Sequence, residues 1–422
     1  MGIYEELLQG VSLPKVARIR QTFSNEQLRD IPKEICKALK RPGTLDRIQA
    51  GEKVAISVGS RGIDNLPIIV HTLVTEIHRR GAEVIIIPAM GSHGGATAEG
   101  QKEILLRLGI VPEGVGAEIV SSLDVNMIGV LADGIPVYLS KDALETDHIV
   151  LLNRIKPHTA FRGPIESGLV KMLTIGLGKQ KGAAVCHARG FEYMAQTLVE
   201  MGSLLLEKSK VTFGLGIVEN AYDQTYSITA IPAELLMEEE PKLLKQAKSL
   251  MPSLPINQLD VLVIDEIGKD ISGDGMDPNI TGRYPTPYAH GGPEVAKMVL
   301  LDLTERSHGN ANGIGTADFV TSRLVGKMDL EQTYPNALTS TVTGPVKIPL
   351  TLGSDFDVIR AAVKTCNAKN PNMIRLVRIK NTLRIGEFWA SEAVVKELFE
   401  HDHELEIGEL EEFNFNQQGN LV

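Results

Sequence analysis

Residues 153–190, NRIKPHTAFRGPIESGLVKMLTIGLGKQKGAAVCHARG, place an imidazole at His158, an amine at Lys171 and a second imidazole at His187, with Cys186 the only thiol nearby. The spacings are 13 and 16 positions (171 − 158 and 187 − 171). Apolar residues and glycines surround the lysine in GLVKMLTIGLG. A lysine so placed loses hydration, which lowers its pKa and makes the amine a nucleophile toward a carbonyl or an activated acyl group. The same pattern also suits a lysine at a helix end whose stem lies on apolar surface while its charge stays in water. His187 stands outside HxxxH or HExxH spacing, so it is a candidate single metal ligand and nothing stronger. A protein that supplies one ligand needs a cofactor to supply the rest.

Two further stretches end in polar signatures. VAISVGSRG delivers Arg61 and VIIIPAMGSHGG delivers Ser92 and His93, just as IVLLNRIKPHT delivers Lys156 and His158. In open parallel sheets the loops beyond the carboxyl ends of the strands converge, and helix N-termini point partial positive charge there. A lone loop histidine is more often solvated or packed than catalytic. Three strand ends in one geometric layer, however, make Arg61, His93 and His158 neighbours in a common site. The small residues of GSHGG let backbone amides approach a ligand closely, as in phosphate-binding turns, although GSHGGATAEG lacks the GxGxxG dinucleotide spacing.

The elements that must hold these residues alternate in type. KVAISVGS (53–60) and AEVIIIPAM (82–90) are strands separated by the helical LPIIVHTLVTEIHRRG (66–81), and a helix follows in TAEGQKEILLRLG (97–109). Strand, helix, strand, helix implies a parallel sheet with covering helices. Further strands are expected at 148–155, 211–220, 259–268, 374–380 and near 338–343. Helices are expected at 165–176, 190–208, 231–250, 292–303, 355–366 and 391–401. The fold expected is α/β: two α/β domains with largely parallel sheets and covering helices, and the active site in the interdomain cleft. SLMPSLPINQLD (249–260) supplies the boundary, because its prolines and polar residues follow a charged helix and precede a fresh strand. The domains are then 1–255 and 256–389, with the helical and then acidic segment 390–422 packing back onto the first.

At 422 residues the chain exceeds one ordinary core. A 43% hydrophobic and 23% charged composition is that of a folded globular protein. The net charge of −10 argues against a nucleic-acid partner, which needs a dense basic face. Cys36, Cys186 and Cys366 form no CxxC pair, so neither a disulfide framework nor a thiolate zinc site is encoded, as befits a reducing compartment. The charged N-terminus lacks a signal-peptide core, and no run approaches the ~18 apolar residues of a membrane span. A cytoplasmic protein that does not engage a membrane is expected.

GSH after one strand, PH after another, SG followed by two residues and then a lysine, and a histidine 16 positions beyond that lysine together resemble the nickel-dependent lactate racemase family. The resemblance spans Arg61 to His187. It implies a nickel pincer nucleotide attached to Lys171 of SGLVK, with His187 completing the nickel coordination. It also implies His93 and His158 as paired acid/base residues and Arg61 as the substrate-orienting arginine. Inverting a carbinol carbon needs a base on each face, and two histidines of near-neutral pKa provide that. Residues 1–255 become the cofactor-binding domain and 256–389 the domain that closes over substrate. The run Val58, Gly59, Ser60, Arg61, Gly62, the three extra residues between His158 and Lys171, and Leu169 in place of a glycine depart from the family pattern at the substrate end. A 2-hydroxy acid other than lactate is therefore expected.

GKDISGDGMDPNITGRYPTPYAHGG (268–292) offers Lys269, Asp274, Asn279 and Arg283 to hydroxyls or a carboxylate, unless it is a structured turn. Lys269, Asn279 and Arg283 are taken as substrate-binding, and Trp389 as an apolar wall. The implied partners are a small 2-hydroxy acid and the enzymes that make the cofactor, with a homo-oligomer open. Two other readings use the same pocket: a Schiff-base lysine enzyme of the aldolase kind, and a two-domain small-molecule binding protein without turnover.

Overall fold

The computed structural model describes residues 3–401 and 405–422. After a short helix, Ile3–Leu8, the chain forms β1 (Val16–Arg20). It next builds a six-stranded sheet from β2 (Lys53–Val58), β3 (Glu83–Pro88), β4 (Glu118–Ile119), β7 (His148–Arg154), β8 (Val211–Glu219) and β9 (Thr225–Pro232), with β5 (Val125–Val130) and β6 (Pro136–Ser140) forming a separate hairpin. The order is β4-β3-β2-β7-β8-β9, parallel throughout except for the β8/β9 pair.

Alternation along these strands feeds two cores. Val54, Ile56 and Val58 pack with Val84 and Ile86 against the helix Leu66–His78, while Ala55, Ile85, Ile87, Ile149 and Leu151 face the opposite layer with Leu173, Leu198 and Leu205. Because both faces are covered, the strands are apolar runs rather than half-polar ones. Truncating Ile56 or Ile86 to alanine would cost about 2–5 kcal/mol.

A second compact unit comprises residues 1–23 and 252–422, and the first comprises 24–251. Its strands are β10 (Gln258–Ile267), β11 (Glu294–Leu303), β12 (Phe319–Thr321), β13 (Leu350–Leu352), β14 (Leu376–Ile379), β15 (Glu387–Ser391) and β16 (Glu406–Glu411), ordered β13-β12-β11-β10-β14-β15-β1-β16. The first five strands in that order are parallel, and β15, β1 and β16 join antiparallel. The sequence reading divided the chain near 255 with 390–422 on the first domain. In the structure β16 pairs with β1 and both lie in the second unit, because β1 inserts between β15 and β16.

Three elements differ from expectation. Residues 292–303, expected as helix, include β11, a strand buried between β10 and β12, because KMVLLDL satisfies a strand period once both its faces are covered. The strand expected near 338–343 lies on the helix Leu330–Ser340, started by Asp329, whose carboxylate accepts the N–H groups of Glu331 and Gln332. The helix expected at 165–176 shrinks to Leu169–Lys171 followed by a π-turn, Met172–Gly176. Among the described residues no helix is long and apolar enough to cross a membrane.

Candidate functional site

In the unit 24–251, Val58 of β2 pairs with Pro88 of β3, and Ser57 with Leu151 of β7, so the loops after these three strands leave the sheet at one edge. The loop after β2 is pinned at its far end. Glu219 accepts from Arg154 and from the Asp64 N–H (2.7 Å), and Asp64 accepts from the Thr225 N–H (3.0 Å). At its near end Ser60 Oγ lies 2.5 Å from His93 Nδ1, joining the β2 and β3 loops. Gln101, fully buried, donates to the carbonyls of Gly91 (2.8 Å) and His93 (3.2 Å) and so fixes the GSHGG turn. Gly94 sits at φ +67, where a Cβ would come 2.7 Å from both Gly100 C and Gln101 N; the turn closes on the following helix only without a side chain there.

The loop after β7 is closed at its base by paired backbone bonds between Lys156 and Ser167 (2.8 and 3.2 Å). Inside it the buried Glu166 carboxylate accepts from the His158 N–H (2.7 Å), Arg162 Nη1 (3.3 Å) and Lys248 Nζ (2.6 Å). Arg162 also donates to the His158 carbonyl (2.6 Å). The Ala160 N–H donates to His158 Nδ1 (3.0 Å), and the imidazole packs on Phe161 with ring centroids 4.3 Å apart.

Lys171 ends the single helical turn that opens at Gly168, and His187 lies in the helix Lys179–Ala188. Burial first, then the positive charge of Lys171, holds His158 well below the ordinary imidazole range. The same two causes, in the same order, bring His187 down to about 4. Since Lys171 acts on both rings and each ring lies near Phe191 (6.4 and 6.0 Å between centroids), the three side chains share one neighbourhood. Glycines draw the layers together: a Cβ on Gly176 would come 2.7 Å from the Ala89 carbonyl, and one on Gly91 3.4 Å from Ala183, a turn before His187. The His93 loop and the His187 helix therefore touch. Cys186 is no nucleophile, since burial pushes its thiol up to about 12.

Supports not apparent in the sequence complete the site. Lys179, buried and at φ +54, donates to the Pro88 carbonyl at the end of β3 (2.6 Å), and burial brings its pKa down to about 8. Glu240, also buried, accepts the Val170 N–H (2.9 Å) just before Lys171; burial pushes its carboxyl up to about 7, against the opposing backbone donors of Val170 and Leu169. Charged residues inside apolar runs, as in GLGKQKG and EEEPKLL, were the only sequence signal for them.

Of the expected site residues, His93, His158, Lys171 and His187 lie in this region, and Arg61 follows Ser60 on an exposed turn. Lys269, Asn279 and Arg283 belong to the other unit. Lys269 donates to the Gly273 carbonyl (2.7 Å), and Asn279 to Asp277 (2.8 Å). Arg283 is corrected from a substrate ligand to a strut. Its guanidinium donates to the carbonyls of Val295, Ala296 and Thr316 and to Asp318 (2.9 Å), which orders the loop before β11. Trp389 sits in β15 of that unit with the Arg378 guanidinium over its ring, 4.7 Å from the centroid.

Residues 5–197 match the family model of the lactate racemase N-terminal domain. Among solved structures, a protein from Thermotoga maritima is similar at 16% identity and TM-score 0.51, over 66% of this chain and 72% of that one. The lactate racemase apoprotein from Thermoanaerobacterium thermosaccharolyticum aligns at 15% identity and TM-score 0.46, over 67% and 69% of the two chains. No curated protein matches. Over residues 5–197 the chain is thus similar to the lactate racemase N-terminal domain.

Proposed function

We propose that the protein racemises or epimerises a 2-hydroxy acid other than lactate, with a nickel pincer nucleotide held at Lys171 and His187. One observation carries this reading: Lys171 shares a buried neighbourhood with two imidazoles that burial keeps neutral, and Nδ1 of one of them, His187, is buried with no hydrogen-bond partner among the described residues. A neutral imidazole with an unengaged nitrogen is the form a metal ligand takes. His187 would then be the chain's ligand to a metal whose other ligands come with the cofactor. Glycines at 91 and 176 leave the walls of the pocket without side chains where the layers approach.

When bound, such a cofactor supplies an acceptor for the hydride of the carbinol carbon and returns it. The chain itself holds and moves the proton. His93, in the loop after β3, and His158, in the loop after β7 on the other side of β2, would act as proton carriers for the substrate hydroxyl. Arg61, exposed at the lip, is suited to the substrate carboxylate by its forked donors. The burial that keeps both pocket imidazoles neutral also strengthens each hydrogen bond made there.

The experiment is a panel of chiral 2-hydroxy acids, sugar acids included, incubated with protein co-produced with cofactor-making enzymes. Loss of optical purity in at least one acid, abolished by His93→Ala and by His158→Ala, is expected. Affinity for an acid without turnover in loaded protein would refute the proposal.

A further inference from the structure

The two histidines differ in what their Nδ1 atoms meet. His93 Nδ1 meets the Ser60 hydroxyl, a group that both donates and accepts, so either neutral tautomer of His93 is satisfied. His158 Nδ1 meets the backbone N–H of Ala160, which can only donate. Nδ1 must then carry a lone pair, and the proton of neutral His158 sits on Nε2. The bond does not stand alone. Glu166 fixes His158 through its own N–H, and Arg162, itself on Glu166, fixes the His158 carbonyl two residues before Ala160. Lys248 neutralises the same carboxylate from a distant helix, and Phe161 backs the ring.

We infer that Glu166 is a positioning residue that locks His158 as the Nε2–H tautomer, so that His158 meets substrate as a hydrogen-bond donor and His93 is the proton acceptor of the resting enzyme. This deepens the racemase reading and rests on it for the identity of the substrate. In the resting state the proton of a hydroxyl facing His93 passes to His93 Nε2, while Nδ1–H turns to Ser60 Oγ. His158 Nε2–H meanwhile donates to a substrate oxygen. For His158 to accept a proton at Nε2, its own proton must first move to Nδ1 and the Ala160 bond must break, which disfavours that tautomer by about tenfold for a bond worth roughly 1.4 kcal/mol. His93 carries no such penalty.

The test is long-range 1H–15N correlation on the full-length, cofactor-free protein labelled at histidine, with His158→Gln used to assign the His158 signals. The wild type should show His158 with a bare Nδ1 and a protonated Nε2, the other tautomer being less than about one tenth as populated. Glu166→Gln keeps the shape but offers fewer acceptor oxygens to the four donors around it, the N–H groups of His158 and Gly163 and the side chains of Arg162 and Lys248, and should raise the minor tautomer at least about threefold. Lys248→Met, which leaves both His158 bonds in place, should not. A purely structural Glu166 would lower stability without moving the tautomer ratio. A wild-type His158 protonated on Nδ1, or evenly mixed, overturns the inference whatever the variants do, and an unchanged ratio in Glu166→Gln removes Glu166 from it. Correct tautomers in a protein that racemises no acid would instead refute the functional reading and leave this geometry standing.

Discussion

Glu240 gives the sharpest quantitative handle on the site. Its carboxyl is buried, one oxygen accepts the Val170 N–H, and the other has no partner at hydrogen-bond geometry among the described residues, although the Leu169 N–H lies close enough to favour the charged form. The folded protein holds this carboxyl near 7, against an ordinary 4.5. A raised acid binds more protons folded than unfolded between those values, so its contribution to stability is fully present below 4.5, falls as pH rises through the window and levels off above about 7. At about 1.4 kcal/mol per pH unit the loss approaches 3 kcal/mol. Glu240→Gln resembles the protonated side chain at every pH and removes the slope. Trp389 reports only the other unit, so the assay is amide exchange of the peptide spanning residues 165–180 in both proteins at matched pH. From pH 5 to pH 8 the protection of the variant relative to wild type should rise by about two orders of magnitude. A ratio that stays flat across that range would refute the assignment of Glu240 as a neutral buried cap beneath Lys171.

The other predictions follow from neighbouring contacts. Gly168→Ala would set a Cβ 2.1 Å from Glu240 Oε1 and should lower stability by about 1–3 kcal/mol, and pairing it with Glu240→Ala should recover part of that loss; strict additivity would show that the two residues do not collide. Lys179→Met leaves the Pro88 carbonyl without its donor and should cost about 1–3 kcal/mol by thermal unfolding. Because Lys179 is a cation depressed to about 8, wild-type stability gains as pH rises from 8 toward 10.5, so the deficit of the variant should widen over that interval; a narrowing deficit would contradict the buried-amine account. Arg283→Lys should lower the urea midpoint followed by Trp389 fluorescence, by about 1–3 kcal/mol, while KM for any substrate found stays unchanged; a raised KM at wild-type stability would restore Arg283 to the substrate.

The central strands of both sheets were legible because runs such as VAISV and VIIIP are strand-length, β-branched and bounded by glycines. β11 was not, since an apolar run containing Lys297 and Asp302 carries both periods and only burial between two parallel neighbours selects the strand. Residues 338–343 misled through their threonines and Val342, whereas the cap that starts the helix lies back at Asp329. In the candidate site, His93 and His158 were singled out as residues following strand ends, and the roles of Lys171 and His187 came from the family resemblance. Lys179 and Glu240 were not legible, because each acts on a partner that only the folded chain brings near: Pro88 is 91 residues from Lys179, and Val170 is 70 from Glu240. Glu166 and Gln101 were not legible because they bind backbone groups of a nearby loop, which leave no pattern of residue types. Arg283 failed in the opposite sense, a residue suited to a carboxylate that is consumed by backbone carbonyls.

The most direct test of the account is the intact mass and nickel content of the chain co-produced with cofactor-making enzymes that modify a lactate racemase in parallel. The account predicts a mass increment that peptide mapping places on Lys171, with about one nickel per chain that His187→Ala removes while the increment remains. An unmodified Lys171 in that preparation, or nickel retained by His187→Ala, would contradict it.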